Sequence, residues 1–286
     1  MKLSPIIVGT MKWGAWGARL NAKGMAQNIH TALEAGIHTF DHADIYGGYT
    51  TEADFGAGFV ESSVDRSAVV FITKCGIRYP EGNHPTQVKH YDYSAAHIRQ
   101  SAENSLRHLK TDYIDIFLLH RPSPLLNAEE AIGALEQLKS EGKIREWGVS
   151  NFTVSQMERL AAIASPAWNQ IECSLTHTAP MLDGTMDYLQ THRVGSMAWS
   201  PLGSVFQNTP EAQRLQPVLK RLSAQYECTV AQLVLAWLHR HPARIIPVIG
   251  TTQPKRIQEL AQAHHIQLES MDWFALTEAS WGHKVP

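Results

Sequence analysis

Ile37-His-Thr-Phe-Asp-His-Ala-Asp-Ile-Tyr46 is the stretch that decides how this chain folds. It begins as an apolar run typical of a buried strand and becomes polar where that strand should end. Asp41 and Tyr46 lie in a short segment that Gly47 and Gly48 close. Burying a carboxylate and a phenol is costly unless each has a hydrogen-bonding partner. The stretch therefore predicts a strand that ends at a reaction centre, with partners supplied from elsewhere in the chain.

The same strand pattern recurs along the whole chain, and each apolar run is followed by a helical pattern. In the first helix Met25, Ile29 and Leu33 recur at four-residue spacing, and Gly36 ends it. Strands that alternate with helices form parallel sheets, and eight such units in about 250 residues are typical of a barrel. We predict an α/β fold, a (β/α)8 TIM barrel that forms a single domain over residues 1–286. The predicted strands are residues 6–9, 37–40, 69–73, 113–119, 144–149, 167–171, 195–199 and 245–249.

Several helix starts carry N-cap signals, and two long segments have no regular pattern. Ser94 is an N-cap candidate, and Asn127 with Glu130 resembles a capping box. A second capping box is predicted at Thr229. Residues 76–93 and 203–216 are interpreted as loops that build a substrate pocket.

Composition excludes several classes of protein. With 44% hydrophobic and 18% charged residues, the chain of 286 residues can bury a large core. A net charge of −2 gives no basic surface for nucleic acid or an anionic membrane. No window is apolar enough for a signal peptide or a membrane span. The 15 histidines show no ligand spacing, so we expect no metal site.

Cysteine usage indicates the compartment. Cys75, Cys173 and Cys228 are widely spaced, odd in number and without a C-x-x-C pair. This pattern is typical of a reduced intracellular protein rather than of a disulfide framework. We expect a cytoplasmic protein that has no nucleic-acid or membrane partner.

Polar residues collect where the predicted strands end. In a (β/α)8 barrel the carboxyl ends of the strands form the active-site face. Asp41 and Tyr46 follow the second strand, Lys74 the third and His120 the fourth. The remaining strands carry Ser150, Asn151, Gln170, Trp199, Thr251 and Thr252 at or near their ends.

Four of these side chains have complementary chemistry. A free phenol titrates at about pH 10, and an ammonium group beside Tyr46 would lower that pKa. Lys74 can supply the ammonium, and Asp41 can hold it by a charge-assisted hydrogen bond. Neutral His120 can donate a hydrogen bond to a carbonyl oxygen. Together the four groups predict a proton donor aimed at a carbonyl that receives a hydride.

Each residue taken alone has an ordinary structural explanation. Asp41 and Lys74 would be a structural ion pair, His120 a hydrogen-bonded core histidine and Tyr46 a packing residue. Packing does not require four complementary groups at adjoining strand ends. Their joint placement therefore favours a reaction centre.

Eight spaced motifs occur in the chain in a fixed order. They are Val8-Gly-Thr-Met, Phe40-Asp-His-Ala-Asp-Ile-Tyr-Gly, Phe71-Ile-Thr-Lys, Asp115-Ile-Phe-Leu-Leu-His, Gly148-Val-Ser-Asn-Phe, Asn169-Gln-Ile-Glu, Ala198-Trp-Ser-Pro-Leu and Pro247-Val-Ile-Gly-Thr. On these motifs the chain resembles the aldo-keto reductase family over essentially its whole length. Among the members it most resembles bacterial oxidoreductases with the stretch Asp41-His-Ala-Asp-Ile-Tyr-Gly-Gly-Tyr.

The resemblance implies a catalytic tetrad and a nicotinamide cofactor. The tetrad falls on Asp41, Tyr46, Lys74 and His120. The cofactor would be bound without a Rossmann fold, and the chain has no G-x-G-x-x-G motif. The implied cofactor residues are Thr10 and Met11 near the ribose and diphosphate, Ser150, Asn151 and Gln170 at the carboxamide, Trp199 on the nicotinamide face, and Ser200 and Leu202 near the diphosphate.

The residues after the last strand indicate which dinucleotide would bind. Thr251, Thr252, Lys255 and Arg256 gather at a predicted helix start. Backbone N–H groups and two cations there suit the adenosine 2′-phosphate, so we predict NADP (NADPH) as the cofactor. Many family members carry a lysine where this chain has Gly250. We therefore expect the preference for NADPH to depend on Arg256 and to be weaker than in members that carry the lysine.

The predicted function is an NADPH-dependent oxidoreductase that reduces aldehydes or ketones, with Tyr46 as general acid. The substrate would be a small carbonyl compound. Trp13 and Trp16 follow the first strand and are expected to line an apolar wall, with Trp13 touching the substrate, although both could instead pack under loops. The alternative is a nicotinamide-binding regulatory or accessory subunit with little turnover, since some family members are channel-associated subunits. The sequence assigns neither the physiological substrate nor the oligomeric state.

Overall fold

Eight parallel strands close into a barrel in the computed structural model, which describes residues 2–80 and 86–286. Each barrel strand pairs with the next one along the chain, and the last pairs with the first. Two further strands form a small antiparallel ribbon beside the barrel. The strands are β1 (Ile7–Gly9), β2 (Thr39–Asp41), β3 (Val70–Cys75), the ribbon strands β4 (Ile77–Arg78) and β5 (His90–Tyr91), β6 (Ile114–Leu119), β7 (Ile144–Ser150), β8 (Trp168–Glu172), β9 (Gly195–Trp199) and β10 (Ile246–Ile249).

Helices lie between successive barrel strands, so the predicted fold class is confirmed. Short 3₁₀ turns at Arg66–Ala68, Ala179–Met181 and Gln262–His265 complete the connections. None of the described helices has the length and apolar character needed to cross a membrane. The helices are α1 (Ala22–Glu34), α2 (Tyr46–Tyr49), α3 (Thr51–Ser62), α4 (Ala95–His108), α5 (Ala128–Ser140), α6 (Val154–Ala161), α7 (Thr185–Thr191), α8 (Pro210–Gln225), α9 (Val230–His239), α10 (Pro254–Ala261) and α11 (Ser270–Trp281).

Apolar side chains fill the inside of the barrel. Ile7, Ile72, Ile116, Leu118 and Met197 belong to one cluster and are fully buried. This apolar cluster fills the middle of the barrel, so the functional side chains lie at the strand ends. A separate apolar layer joins the outer faces of the strands to the helices.

Two of the three predicted N-caps form as expected, and the third differs. Ser94 accepts a hydrogen bond from the backbone of His97, and Thr229 forms a reciprocal capping box. Asn127 caps α5 alone, because the carboxylate of Glu130 accepts from the backbone of Ala95 at 2.8 Å. The carboxylate thus ties α5 to α4 instead of closing a capping box.

The two segments interpreted as loops contain regular structure. In residues 76–93, Ile77 pairs with Tyr91 and Arg78 with His90, which makes the ribbon of β4 and β5. The strands are two residues long and pair across a distance in sequence, so periodicity does not reveal them. Residues 81–85 lie outside the described residues.

The interpretation of residues 203–216 as a loop was wrong beyond residue 209. Helix α8 starts at Pro210, and the Thr209 side chain accepts a hydrogen bond from Ala212. Leu215, Leu219 and Leu222 form its buried face. A threonine cap followed by proline at the first helical position was a readable signal for this helix.

The strand boundaries differ from prediction by at most two residues, with one consequence for the site. Asp41 is the last residue of β2, and Lys74 lies inside β3 rather than after it. The backbone ladder continues beyond Asp41, since the N–H of His42 donates to Ile72 at 2.8 Å. Both polar side chains are therefore held by sheet backbone, which is more rigid than a loop.

Candidate active site

A cavity of about 630 Å³ opens at the carboxyl ends of the barrel strands. This volume is typical of small-molecule and cofactor sites. Most of the residues that the sequence placed at this rim line the cavity. They are Met11, Asp41, Tyr46, His120, Ser150, Gln170, Trp199, Ser200, Leu202, Gly250, Thr251 and Arg256.

A buried ion pair forms the base of the site. The Nζ atom of Lys74 donates to both carboxylate oxygens of Asp41 at 2.7 Å, and both side chains are almost fully buried. Lys74 also donates to the carbonyl of His42 at 2.7 Å, a partner that the sequence did not indicate. The amide of Gln170 donates to Asp41 at 2.7 Å. A buried pair is stable only with such additional hydrogen bonds, so the ammonium group is fixed in one position.

Tyr46 stands above this ion pair. Its hydroxyl lies 3.4 Å from Nζ of Lys74, within hydrogen-bond distance, and its ring packs 6.3 Å from that of Trp16. The turn after Tyr46 depends on Gly47 and Gly48, which adopt φ angles of 64° and 67°. Left-handed backbone favours glycine, so these residues let the chain reverse directly behind the phenol.

The pKa of Tyr46 differs from the prediction. Burial raises it above the ordinary value, and the ammonium group of Lys74 opposes that effect. Lys74 therefore acts in the predicted direction, but the net lowering that we expected is wrong for the free protein. Desolvation disfavours the phenolate more than one ammonium stabilises it. The side chain is consequently held as a phenol, which is the form that donates a proton.

His120 faces Tyr46 from the end of β6, two strands around the barrel from β2. The two rings meet edge to face with centroids 6.1 Å apart, and the backbone N–H of His120 donates to Cys75 at 2.9 Å. Burial lowers the pKa of His120 well below 6.5, and the charges of Lys74 and Arg121 lower it further. The imidazole is therefore neutral at physiological pH, as a hydrogen-bond donor to a carbonyl requires.

Polar groups on β7, β8 and β9 are linked to one another. Ser150 donates to the carbonyl of Gln170 at 2.8 Å. Asn151, with a left-handed φ of 61°, donates to the Ser150 hydroxyl and accepts from Trp199, both at 2.8 Å. Asn151 does not itself line the cavity but holds the two residues that do. The network fixes a planar indole beside hydroxyl and amide groups, which suits an aromatic ring that carries a carboxamide.

Two residues near β1 are placed differently from expectation. Trp13 is fully buried, donates to the carbonyl of Thr251 at 2.9 Å and packs against Phe40 and Phe55, so it does not line the cavity. Its assignment as a substrate contact was wrong, and Trp16 occupies the cavity wall instead. The large apolar ring is buried in the core because neighbouring phenylalanines provide a packed environment for it.

Thr10 is likewise turned into the protein. It is fully buried, and its hydroxyl lies 3.0 Å from the carbonyl of Asp41 and 2.8 Å from Nδ1 of His42. The expected position beside a cofactor ribose is therefore not on the cavity surface. The side chain instead connects β1 to the strand end that carries Asp41.

The residues after β10 are divided between the cavity and the surrounding surface. Gly250, Thr251 and Arg256 line the cavity, whereas Thr252 and Lys255 do not. Arg256 belongs to the first turn of α10, where the helix dipole favours an anion. A Cβ atom added at Gly250 would meet nothing within 4 Å, so the position is open.

Several cavity residues were missed from the sequence. Arg121 directly follows His120 at a strand end, so a readable signal existed for it. Tyr79 and Lys89 lie between the ribbon strands β4 and β5, and with Ile77 and Gly203 they belong to the segments that were interpreted as pocket loops. The other missed lining residues are Gly9, Lys12, Ile45, Pro201, Val248, Ile249 and Leu260.

Comparisons with known proteins agree with this fold and show its family. The model of the Aldo/keto reductase family matches residues 5–280. The chain is 39% identical over 288 residues to a 6-dehydroglucose reductase of Agrobacterium fabrum, covering 100% of this chain and 97% of that protein. It is 37% identical over 293 residues to the uncharacterized oxidoreductase YcsN of Bacillus subtilis, covering 100% of this chain and 97% of that protein.

A solved structure shows the same architecture. A thermostable aldo-keto reductase, crystallised with the inhibitor epalrestat, superposes with a TM-score of 0.82. The two chains are 24% identical, and the match covers 98% of each. At that identity the likeness shows the barrel fold alone. The resemblance predicted from the spaced motifs is confirmed by the family match and the curated relatives.

Proposed function

This chain belongs to the aldo/keto reductase family of oxidoreductases, and we propose that it reduces aldehydes or ketones to alcohols with NADPH. The observation that carries the proposal is the joint position of Tyr46 and His120 over the buried Lys74–Asp41 pair. A phenol and a neutral imidazole at one cavity wall are the two donors that a carbonyl oxygen needs. The relative named as a 6-dehydroglucose reductase supports carbonyl reduction as the reaction class.

The proposed mechanism gives each residue of the tetrad one role. His120 orients the carbonyl by donating a hydrogen bond to its oxygen. Tyr46 transfers its hydroxyl proton to that oxygen as negative charge develops there, and the ammonium of Lys74 stabilises the resulting phenolate. Asp41 acts through Lys74 and is a positioning residue. NADPH, when bound, supplies the hydride to the carbonyl carbon.

The chemistry of the cavity fits a phosphorylated nicotinamide dinucleotide. Trp199 offers a planar face, Ser150 and Gln170 offer hydroxyl and amide groups, and Arg256 offers a cation at a helix start. These residue types match an aromatic ring, its carboxamide and a phosphate, respectively. We include Met11, Asn151, Ser200, Leu202, Gly250, Thr251, Thr252 and Lys255 in the proposed cofactor site, as lining, supporting or neighbouring residues. The free cysteines also suit a reducing compartment such as the cytoplasm.

The decisive experiment is Tyr46→Phe, which removes one hydroxyl and keeps the ring. We expect kcat for reduction of 4-nitrobenzaldehyde to fall by roughly 10²–10⁴-fold, since this is the contribution of a positioned general acid. The NADPH Kd, measured by fluorescence titration, should stay near that of the wild type. Tyr188→Phe is the matched control, because Tyr188 is buried on α7 outside the cavity. Retained turnover in Tyr46→Phe would remove this residue from its role.

A substrate screen separates the enzyme from a cofactor-binding accessory subunit. NADPH oxidation is followed with a panel of aldehydes, diketones and quinones. We expect turnover on several members of the panel. Tight NADPH binding without turnover on any compound, together with stable co-purification of a partner protein, would favour the subunit instead.

A further inference from the structure

Among the described residues, four cations line the cavity. Arg256 at the start of α10 is one, and Lys12, Lys89 and Arg121 are the other three. Within residues 2–80 and 86–286, no carboxylate forms an ion pair with any of them. Among the described residues that line the cavity, the one acid is Asp41, and Lys74 already neutralises it. The cavity therefore carries an excess of positive charge.

Two of these cations lie on an aromatic wall beside the phenol. Lys89 lies over the ring of Tyr79 at 5.7 Å, and Lys12 donates to the carbonyl of Trp16 at 3.3 Å. The ring of Trp16 packs 6.3 Å from Tyr79 and 6.3 Å from Tyr46. This wall thus places apolar surface next to the proton donor and ammonium groups at its edge.

The third cation lies next to the imidazole. Arg121 follows His120 in the chain, and its guanidinium sits 5.0 Å from the ring centroid of Trp199. The charges of Arg121 and Lys89 both lower the pKa of His120, which shows that their field reaches the reacting groups. Arg256 also lines the cavity, from the start of α10.

The cations and aromatic rings of the cavity wall favour a negatively charged ligand. Charge-assisted hydrogen bonds from guanidinium and ammonium groups are stronger than neutral ones and select carboxylate, sulfonate or phosphate geometry. A cleft lined by one sign of charge also concentrates ligands of the opposite sign. A neutral substrate would leave these cations without an anionic partner.

We propose that the substrate carries an anionic group, which Arg121 and Lys89 bind while the carbonyl meets Tyr46 and His120. The proposal rests on the reductase function proposed above and names its substrate class: aldehydes or ketones that bear a carboxylate, sulfonate or phosphate. Trp16 and Tyr79 would pack against the carbon skeleton between the two ends. Arg121 and Lys89 are thus specificity-determining residues.

The test compares acids with their neutral esters. We choose 4-carboxybenzaldehyde against methyl 4-formylbenzoate, and succinic semialdehyde against methyl 4-oxobutanoate, because each pair differs mainly in charge. We expect kcat/KM for the acid to exceed that for the ester by about tenfold or more. The ratio should fall as sodium chloride is raised, since salt screens exposed cations. Sulfonated and phosphorylated aldehydes then show which anion is preferred.

Variants identify the cations responsible. Arg121→Gln and Lys89→Gln should each lower the acid-to-ester ratio by several-fold, because each removes one charge. Arg121→Lys keeps the charge and should retain most of the ratio. Lys23→Gln, an exposed position on α1 outside the cavity, is the matched control and should leave the ratio unchanged. Arg121→Glu should shift the preference toward a cationic aldehyde.

The outcomes separate this proposal from the proposed function. Turnover of esters equal to or better than that of acids overturns the anionic substrate class and leaves the reductase intact. A different result is that Arg121→Gln and Lys89→Gln leave the acid-to-ester ratio of kcat/KM unchanged and raise the NADPH Kd tenfold. That result also overturns the anionic substrate class, and it assigns the two cations to the cofactor site. Absence of turnover on every carbonyl compound overturns both proposals. A charge-dependent ratio with NADPH affinity near wild type supports the inference.

Discussion

At the scale of single residues, Lys74 connects the structural and chemical parts of the site. It binds Asp41 and the His42 carbonyl at 2.7 Å, whereas the Tyr46 hydroxyl lies farther away at 3.4 Å. Three close oxygen contacts fix the ammonium, so its charge remains beside Tyr46 when the phenol loses a proton. The pKa of Lys74 is lowered by burial but raised further by Asp41 and Tyr46, with a net rise. Lys74 therefore stays charged throughout the working range of pH.

The pH dependence of activity follows from Tyr46 and His120. Burial raises the pKa of Tyr46 above 10.0, and reduction requires its protonated form, so the rate falls only as pH rises through that raised value. Burial lowers the pKa of His120 well below 6.5, so neutral imidazole is lost only in acid. We expect kcat for reduction, measured under saturating NADPH, to be flat between these limits. A titration centred near neutral pH would contradict these assignments.

Gly250 offers a direct test of the cofactor preference. The position is open, since a Cβ atom there would meet nothing within 4 Å. Gly250→Lys adds a cation near Thr251 and Arg256, and we expect NADPH binding to tighten by about tenfold while NADH binding changes little. Gly250→Gln is the control for side-chain bulk. Equal effects of both variants on NADPH and NADH would contradict a 2′-phosphate site near this residue.

At the scale of elements, the turn of α2 decides where the phenol points. Gly47 and Gly48 both have left-handed φ angles, but their surroundings differ. A Cβ at Gly47 would lie 2.4 Å from the Thr51 hydroxyl, while a Cβ at Gly48 would meet nothing within 4 Å. Alanine substitutions at the two glycines can therefore be compared directly, because only the one at Gly47 creates a steric clash.

Gly47→Ala should impair catalysis more than Gly48→Ala. Both changes introduce backbone strain of roughly 1 kcal/mol, but only Gly47→Ala must also move a neighbour. We expect an additional destabilisation of about 1–2 kcal/mol and a lower kcat, because Tyr46 precedes the displaced turn. Urea denaturation and steady-state kinetics measure the two effects. Identical behaviour of the two variants would show that the contact with Thr51 is unimportant.

The β4–β5 ribbon is a second element with a functional consequence. It places Tyr79 and Lys89 on the cavity although neither belongs to the barrel. The ribbon pairs residues that are more than ten positions apart, so no local sequence pattern predicts the ribbon. Of the two cations proposed to bind the substrate anion, Lys89 therefore comes from this addition to the barrel, and Arg121 follows a barrel strand.

At the scale of the whole molecule, the two ends of the barrel carry different functions. Asp115 is fully buried near the start of β6 and binds Arg66 at 2.6 Å and Arg145 at 2.9 Å. It also accepts the backbone N–H of Phe71 at 2.9 Å. These contacts join strands at the end opposite the cavity, and none of the residues lines it.

Asp115→Ala should reduce stability without changing cofactor affinity. Removing one partner of a buried ion pair costs roughly 3–5 kcal/mol, which urea denaturation would detect. The NADPH Kd should remain that of the wild type, since the amino ends of the strands serve stability in such barrels. Glu61→Gln, an exposed position on α3, is the control and should change stability by less than about 0.5 kcal/mol. A loss of NADPH affinity in Asp115→Ala would contradict this separation.

Strand and helix order, and the residues at most strand ends, were readable from the sequence because their signals are local. Apolar periodicity and caps such as Ser94 and Thr229 depend on neighbours a few residues away. Asp41, Tyr46 and His120 could be placed together since parallel strands bring their carboxyl ends to one face. Helix α8 was also readable from its cap and leucine spacing, but it was missed.

Only the tertiary structure decided which side chains face the cavity and how their charges behave. Trp13 turns into the core while Trp16 lines the cavity wall, and the Thr10 hydroxyl donates a hydrogen bond to the backbone carbonyl of Asp41. The net rise in the pKa of Tyr46 is a result of burial, which many distant residues create together. The orientation and the desolvation of a side chain depend on packing between segments far apart in sequence. The sequence by itself therefore determined which groups react and their order along the chain. Packing determined the environment of those groups.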